Sequence, residues 1–314
     1  MVAVTPCSAQ ISPWVVNAIY GEPSWGESFR SINGLAIDPV SGELYVADAG
    51  RHTVDVLDST GAPRFSFVHW ITDPKTEERQ PGEPNALAIS PAGEIFITDI
   101  YSHDVDVLDI RGERIGTIDV LKSIGWDRSE CRPEKLGMDA AGRLYASITG
   151  ERQGIVRCRP DGSDCQIVID ATKDSAAVIT GMGVAPDGRV AVVDHRGLPA
   201  IRIYDPDGHL MIGFGAHEVD ESDVSDPVGF LFAGDGTFWV VDALRHVVKH
   251  YSSDGKYLEY IGGLGSAPGQ LRYPSAIAGD GVAHVYVAER VGRRVQDYLL
   301  PSALTVAVKL DLKR

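Results

Sequence analysis

Residues 34–61 read GLAIDPVSGELYVADAGRHTVDVLDSTG. Leu35 and Ile37 alternate with Ala36 and Asp38, the pattern of a strand with one buried face. Pro39 to Gly42 turns the chain, and Gly42 supplies the positive φ that the turn needs. Leu44-Tyr45-Val46-Ala47 follows with β-favouring residues and little polar alternation, so both faces of this strand should be covered. After a loop over Ala49–His52, Val54-Asp55-Val56-Leu57 forms a third strand. Asp58–Gly61 turns again, and Arg64–Val68 supplies the fourth. One such unit is a four-stranded antiparallel sheet.

The same unit recurs five times. Residues 86–112 read ALAISPAGEIFITDIYSHDVDVLDIRG, and residues 136–162 read LGMDAAGRLYASITGERQGIVRCRPDG. Residues 181–208 read GMGVAPDGRVAVVDHRGLPAIRIYDPDG, and residues 228–255 read VGFLFAGDGTFWVVDALRHVVKHYSSDG. The most worn copy is SAIAGDGVAHVYVAERVGRRVQDYLLPS, residues 275–302. The residue closing the second strand marks the register: Asp48, Asp99, Ile148, Asp194, Asp242 and Glu289. A period of about 40–50 residues with several strands in each unit indicates a propeller. The expected fold is therefore all-β, a six-bladed β-propeller of four-stranded blades spanning residues 1–300.

Two segments compete to complete the sixth blade. Residues 14–21, WVVNAIYG, resemble the outer strands of other units and can clasp the ring. Residues 301–314 carry a second alternating strand, with Leu304, Val306, Val308, Leu310 and Leu312 on one face. An apolar edge left unpaired is a liability, which points to a partner chain for one terminal strand.

The units resemble the NHL repeat family over roughly residues 14–300. The resemblance rests on the second strand ending in Asp and on the loop pairs Asp48…His52, Asp99…His103 and Asp242…His246. It rests also on the glycine-rich connector Gly262-Gly263-Leu264-Gly265-Ser266-Ala267-Pro268-Gly269-Gln270-Leu271. Unit three departs from it, with Ile148 in place of Asp. The resemblance implies the propeller fold, but no single function, since that fold hosts enzymes, RNA binders and protein-binding platforms.

The chain of 314 residues has a net charge of −15 and a pI near 5.0. A surface this acidic disfavours nucleic-acid backbones and anionic lipid headgroups. No apolar stretch approaches the roughly 18–20 residues of a membrane span. The N-terminus has no basic n-region, so it reads as the start of a cytoplasmic protein or of a mature secreted one. Of four cysteines, Cys158 and Cys165 face each other across the hairpin RCRPDGSDCQIV. Facing Cα atoms at roughly 4.5–5.5 Å lie within disulfide range. A disulfide there favours a periplasmic or secreted location, while two reduced cysteines would serve as small hydrophobes.

Histidines 52, 103 and 246 recur at one offset from an acid. A feature repeated in each blade radiates with the blades and cannot converge on one ion, so each histidine is expected to bond its own blade's acid. The starts of the inner strands line the channel mouth: Asn33, Asn85, Glu134, Thr180, Val228 and Ser275. NHL proteins that act as peptide-amidating lyases place metal-binding histidines at such positions, and none occurs here. Asn33, Asn85 and Glu134 are oxygen donors suited to Ca²⁺ or another divalent cation. Trp25, Trp70, Trp126, Tyr101, Arg51 and Arg245 should share the face of the connectors and loops, and Trp, Tyr and Arg are the types that dominate protein interfaces. No G-x-S-x-G, H-E-x-x-H or P-loop motif is present.

These features lead to the expectation of a non-enzymatic scaffold that binds a protein or ligand, as a subunit of a larger complex of undefined oligomeric state. The alternative is a metal-dependent hydrolase or lyase acting at the channel mouth. A third reading, RNA binding through the loop face, is opposed by the charge.

Overall fold

The structure, a computed structural model, describes residues 14–21, 28–72, 76–172, 177–217 and 220–300. Six four-stranded antiparallel sheets account for nearly all of its regular structure. In blade one Ile32–Ile37, Leu44–Asp48, Thr53–Leu57 and Pro63–Val68 run from the innermost strand to the outermost. Blades two to five repeat this order, with inner strands Pro84–Ile89, Cys131–Met138, Ile179–Val184 and Pro227–Phe232.

Blade six takes three strands from the end of the described chain: Pro274–Gly279, His284–Glu289 and Arg294–Leu299. Its outer strand is Trp14–Ile19, which pairs antiparallel with Arg294–Leu299 and sets Ile19 opposite Val295. The alternating segment at 301–314 lies outside the described residues. Two additions interrupt the repeat. A short hairpin, Trp70–Thr72 with Arg79–Pro81, follows blade one. A five-residue helix, Val120–Ile124, follows blade two, capped by the Asp119 carboxylate on the Lys122 N–H and closed by Gly125 at φ 72°.

The second strands are covered on both faces, as their unbroken apolar runs imply. Leu44–Asp48, Ile95–Asp99, Val190–Asp194 and Phe238–Asp242 are buried at every residue. The outer strands alternate and are largely exposed. The core divides into six apolar clusters, each shared by two neighbouring blades. Between blades one and two, Tyr45, Val54 and Val56 meet Leu87, Ile95 and Ile97. Between blades six and one, Tyr286, Ala288 and Val295 meet Ile32, Leu44 and Val46, and the clasp residue Ile19 joins them. Each blade therefore buries its two faces only with the ring closed.

The Cys158–Cys165 disulfide is present, with Cα atoms 4.1 Å apart at the base of the hairpin. It is the chemistry of an oxidising compartment. Among the described residues no helix is long and apolar enough to cross a membrane.

Candidate functional site at the polar channel mouth

All six inner strands break register at the same place, just after they begin. The irregularities fall between Ile32 and Gly34, Pro84 and Ala86, Pro133 and Leu136, Ile179 and Gly181, Pro227 and Gly229, and Pro274 and Ala276. A bulge re-aims the side chain at the break. Here three of the first-ring mouth residues bond the neighbouring blade. Asn85 Nδ2 donates to the Glu134 carbonyl (3.2 Å), Thr180 Oγ1 to the Pro227 carbonyl (2.6 Å), and Ser275 Oγ to the Ile32 carbonyl (2.8 Å). The Glu134 carboxylate accepts from Thr149 Oγ1 at 3.0 Å.

The next residue along each strand forms a second ring: Gly34, Ala86, Lys135, Gly181, Gly229 and Ala276. The hydrogen bonds fix the equivalence, since Lys135 N–H donates to Ser147 Oγ (2.9 Å) as Ala86 N–H donates to Thr98 Oγ1 (3.1 Å). Small residues are required where inner strands crowd. A Cβ on Gly34 would sit 2.6 Å from the Asn85 carbonyl oxygen, and one on Gly181 2.8 Å from that of Val228. Blade three alone breaks the rule and sends a lysine into the channel.

The channel has a polar upper chamber of about 330 Å³. Glu134, Lys135, Thr180, Asp226, Tyr273 and Arg290 are among its lining residues. Below it the passage narrows to about 70 Å³ between Lys135, Leu35, Leu87, Met182 and Phe230. The opposite mouth, about 310 Å³, is apolar and rimmed by Pro39, Pro91 and Pro186.

Lys135 makes no side-chain hydrogen bond or ion pair among the described residues, and neither does Arg290. Burial pushes the Lys135 amine below the ordinary lysine range. The Glu134 carboxylate opposes that shift, and the Arg290 charge adds to it. The Asp226 carboxylate lies 3.0 Å from His195 Nδ1. The mouth thus carries two unpaired cationic side chains in a protein of net charge −15.

The other residues singled out from the sequence serve the frame. Arg51 pairs with buried Asp55 at 3.1 Å. Arg245 donates to Ser225 Oγ and to the Asp220 carbonyl, each at 2.7 Å. Trp126 is buried in the cluster between blades two and three. Trp70 and Tyr101 are exposed, Trp70 beneath Arg79 and Tyr101 donating to Glu83. Trp25 lies outside the described residues. The strand-closing acids hold the leading loops: Asp48 accepts from the N–H groups of Arg30 and Ser31, and Asp242 from those of Ser225 and Asp226.

The histidines do not bond their own blade's acid. His52 Nδ1 meets the Gly82 carbonyl, His103 Nδ1 the Cys131 carbonyl, and His246 Nδ1 accepts from the Tyr273 N–H. Each reaches the backbone leading into the next blade, because the loop that carries it overhangs that interface. Blade three lacks the histidine and uses Gln153, which bonds the Ala177 carbonyl and the Ile179 N–H.

Of the oxygen donors expected to hold a divalent cation, Asn85 donates its Nδ2 to the Glu134 carbonyl, and Glu134 lines the upper chamber with Lys135 and Asp226. Among the described residues no three His, Cys, Asp or Glu side chains gather closely enough to hold a metal ion.

No family model and no curated protein matches the chain. Solved structures do match its fold. A gluconolactonase from Xanthomonas campestris superposes with a TM-score of 0.63 at 17% identity, covering 87% of each chain. A virginiamycin B lyase from Staphylococcus aureus gives 0.58 at 16% identity, over 86% of this chain and 80% of its own. A luciferin-regenerating enzyme gives 0.65 at 11% identity, over 91% and 96%. These neighbours support the six-bladed propeller and are not NHL domains specifically. They also overturn the expectation of a non-enzymatic scaffold, since the proteins named are enzymes. That expectation leaned on missing local motifs. In this fold a site at the channel is assembled from strands some 50 residues apart, and no local motif would announce it.

Proposed function

We propose that this protein is an enzyme, a hydrolase or lyase, acting on a small molecule at the polar mouth of the channel with Lys135 as its reactive group. The observation that carries the reading is the unpaired amine of Lys135, standing where the other five blades have Gly or Ala and lining a chamber of about 330 Å³. Desolvation and a neighbouring cation both favour the neutral, nucleophilic form of a lysine amine. Arg290 is placed to stabilise negative charge developing on a substrate oxygen. The names of the neighbours, a lactonase and a lyase among them, support the same reaction classes. The NHL resemblance rests on loop residues that here serve as inter-blade ties, and it adds no activity. The disulfide supports a periplasmic or secreted place of action.

The test is a panel of sugar lactones, hydroxy acids and oxo acids, assayed with a metal chelator present. At least one compound should be turned over, and Lys135→Met should lower that rate by about 10²-fold or more, the scale of a lost proton-transfer group. A silent panel, an unaffected variant, or activity that needs a divalent cation would overturn the reading.

A further inference from the structure

Beneath the upper chamber lies a smaller cavity of about 70 Å³ that Lys135 also lines, while Glu134 and Arg290 line the upper chamber and not the lower. The chamber is at the small end of ligand pockets. Its cationic side chains are the ones left available: Lys135 and Arg290 make no salt bridge among the described residues, whereas the Glu134 carboxylate accepts from Thr149 and the Asp226 carboxylate lies against His195. A guanidinium left free in such a place fits a carboxylate through its paired N–H groups. An amine a short reach away fits a carbonyl. The two demands meet in one class of compound.

We propose that this mouth takes a small 2-oxo acid, with Arg290 binding its carboxylate and Lys135 forming an imine with the adjacent carbonyl. The proposal rests on the reading of Lys135 given above and names its substrate class. The Nζ lone pair attacks the carbonyl carbon, and the C=O π pair moves to oxygen, which takes a proton. Nitrogen then gives up a proton to the Glu134 carboxylate, and the carbinolamine oxygen leaves as water carrying that proton. In a 4-hydroxy-2-oxo acid the resulting iminium takes up the electron pair of the C3–C4 bond, the C4 hydroxyl gives its proton to the Glu134 carboxylate, and the cleaved fragment leaves as an aldehyde, which is a lyase step. The enamine left behind is protonated at carbon, and water hydrolyses the imine to an oxo acid and free amine. No outside oxidant or reductant is needed.

Pyruvate with sodium borohydride is the probe. Reduction should fix a single N-carboxyethyl group on the chain, and peptide mass mapping should place it on Lys135. Lys135→Met should remove the adduct while keeping the wild-type melting profile, since methionine follows the path of the lysine side chain and the amine it replaces makes no hydrogen bond among the described residues. Arg290→Gln should slow pyruvate capture by about tenfold more than it slows capture of uncharged acetone, the scale of one lost charge-assisted contact. Folded wild-type protein with no adduct at Lys135 would overturn the proposal. So would an adduct spread equally over Lys122 and Lys256, or an Arg290→Gln variant that captures pyruvate as fast as wild type. The two readings fail separately. An adduct without turnover of any panel compound keeps the imine site and sinks the enzyme. Lysine-dependent turnover without an adduct keeps the enzyme and sinks the imine.

Discussion

His69 is 1% exposed and lies between two carboxylates, its Nε2 3.5 Å from Asp99 and 3.8 Å from Asp106. Burial, with a smaller push from Arg114, holds the imidazole down to about 4, and burial lifts Asp99 to about 6. The histidine's contribution to stability is full above its unfolded value near 6.5 and is lost as pH falls toward 4. The aspartate's contribution is full at low pH and is lost as pH rises from its unfolded value toward 6. Between pH 4 and 6 the two slopes oppose each other. Asp99→Asn removes one of them, so variant stability minus wild-type stability should rise with pH through that window, by at most about 3 kcal/mol. Denaturant melts at pH 4, 5 and 6 read this directly, and parallel curves would contradict it. At this scale the sequence was partly legible. The strand-closing acids announced themselves by recurrence. Lys135 did not, because the bulge puts the informative ring one residue beyond Asn33, Asn85 and Glu134. An alignment of the six units at the second residue after Ile32 and its equivalents exposes it as the exception to Gly and Ala.

Hairpins and edge strands are where short sequence signals carry furthest. Pro160-Asp161-Gly162-Ser163 sets the turn, Arg159 N–H bonds the Ser163 carbonyl, and the disulfide follows from the register. Because the bridge closes only a few residues, its chain-entropy contribution is modest. Replacing both Cys158 and Cys165 by Ser should lower unfolding free energy by about 2 kcal/mol and leave the fold intact. A loss near zero in denaturant titration would mean that the reduced hairpin is already ordered in the unfolded chain. The outer strand of blade six was ambiguous from sequence because Trp14–Ile19 and the segment after Pro301 both alternate. What distinguishes the former is tertiary: Ile19 enters the cluster shared by blades six and one, and Tyr20 accepts a hydrogen bond from Arg294. The histidine loops were legible as a repeat but not as ties, since their partners lie some 25–30 residues further on, in the next blade.

The whole molecule is a ring whose two channel mouths differ in kind. Six clusters, each split between neighbouring blades, hold the ring closed, and no blade has a core of its own. The repeat made that architecture readable, because the period and strand pattern are local. The chemistry was less readable, because Glu134, Lys135, Thr180 and Arg290 come from three blades and meet only when the ring closes. The ring presents at its polar mouth a lysine amine that burial pushes below the ordinary lysine range and that has no salt-bridge partner among the described residues, and the proposed chemistry depends on that amine being reactive. Competitive labelling with trinitrobenzenesulfonate at pH 7, resolved lysine by lysine through peptide mass, measures it. Lys256 is the reference: it is highly exposed, and Asp254 at 2.7 Å holds its charge in place. The account predicts that Lys135 is modified before Lys256, and that added pyruvate slows Lys135 alone. Modification of Lys256 with Lys135 left intact would contradict it.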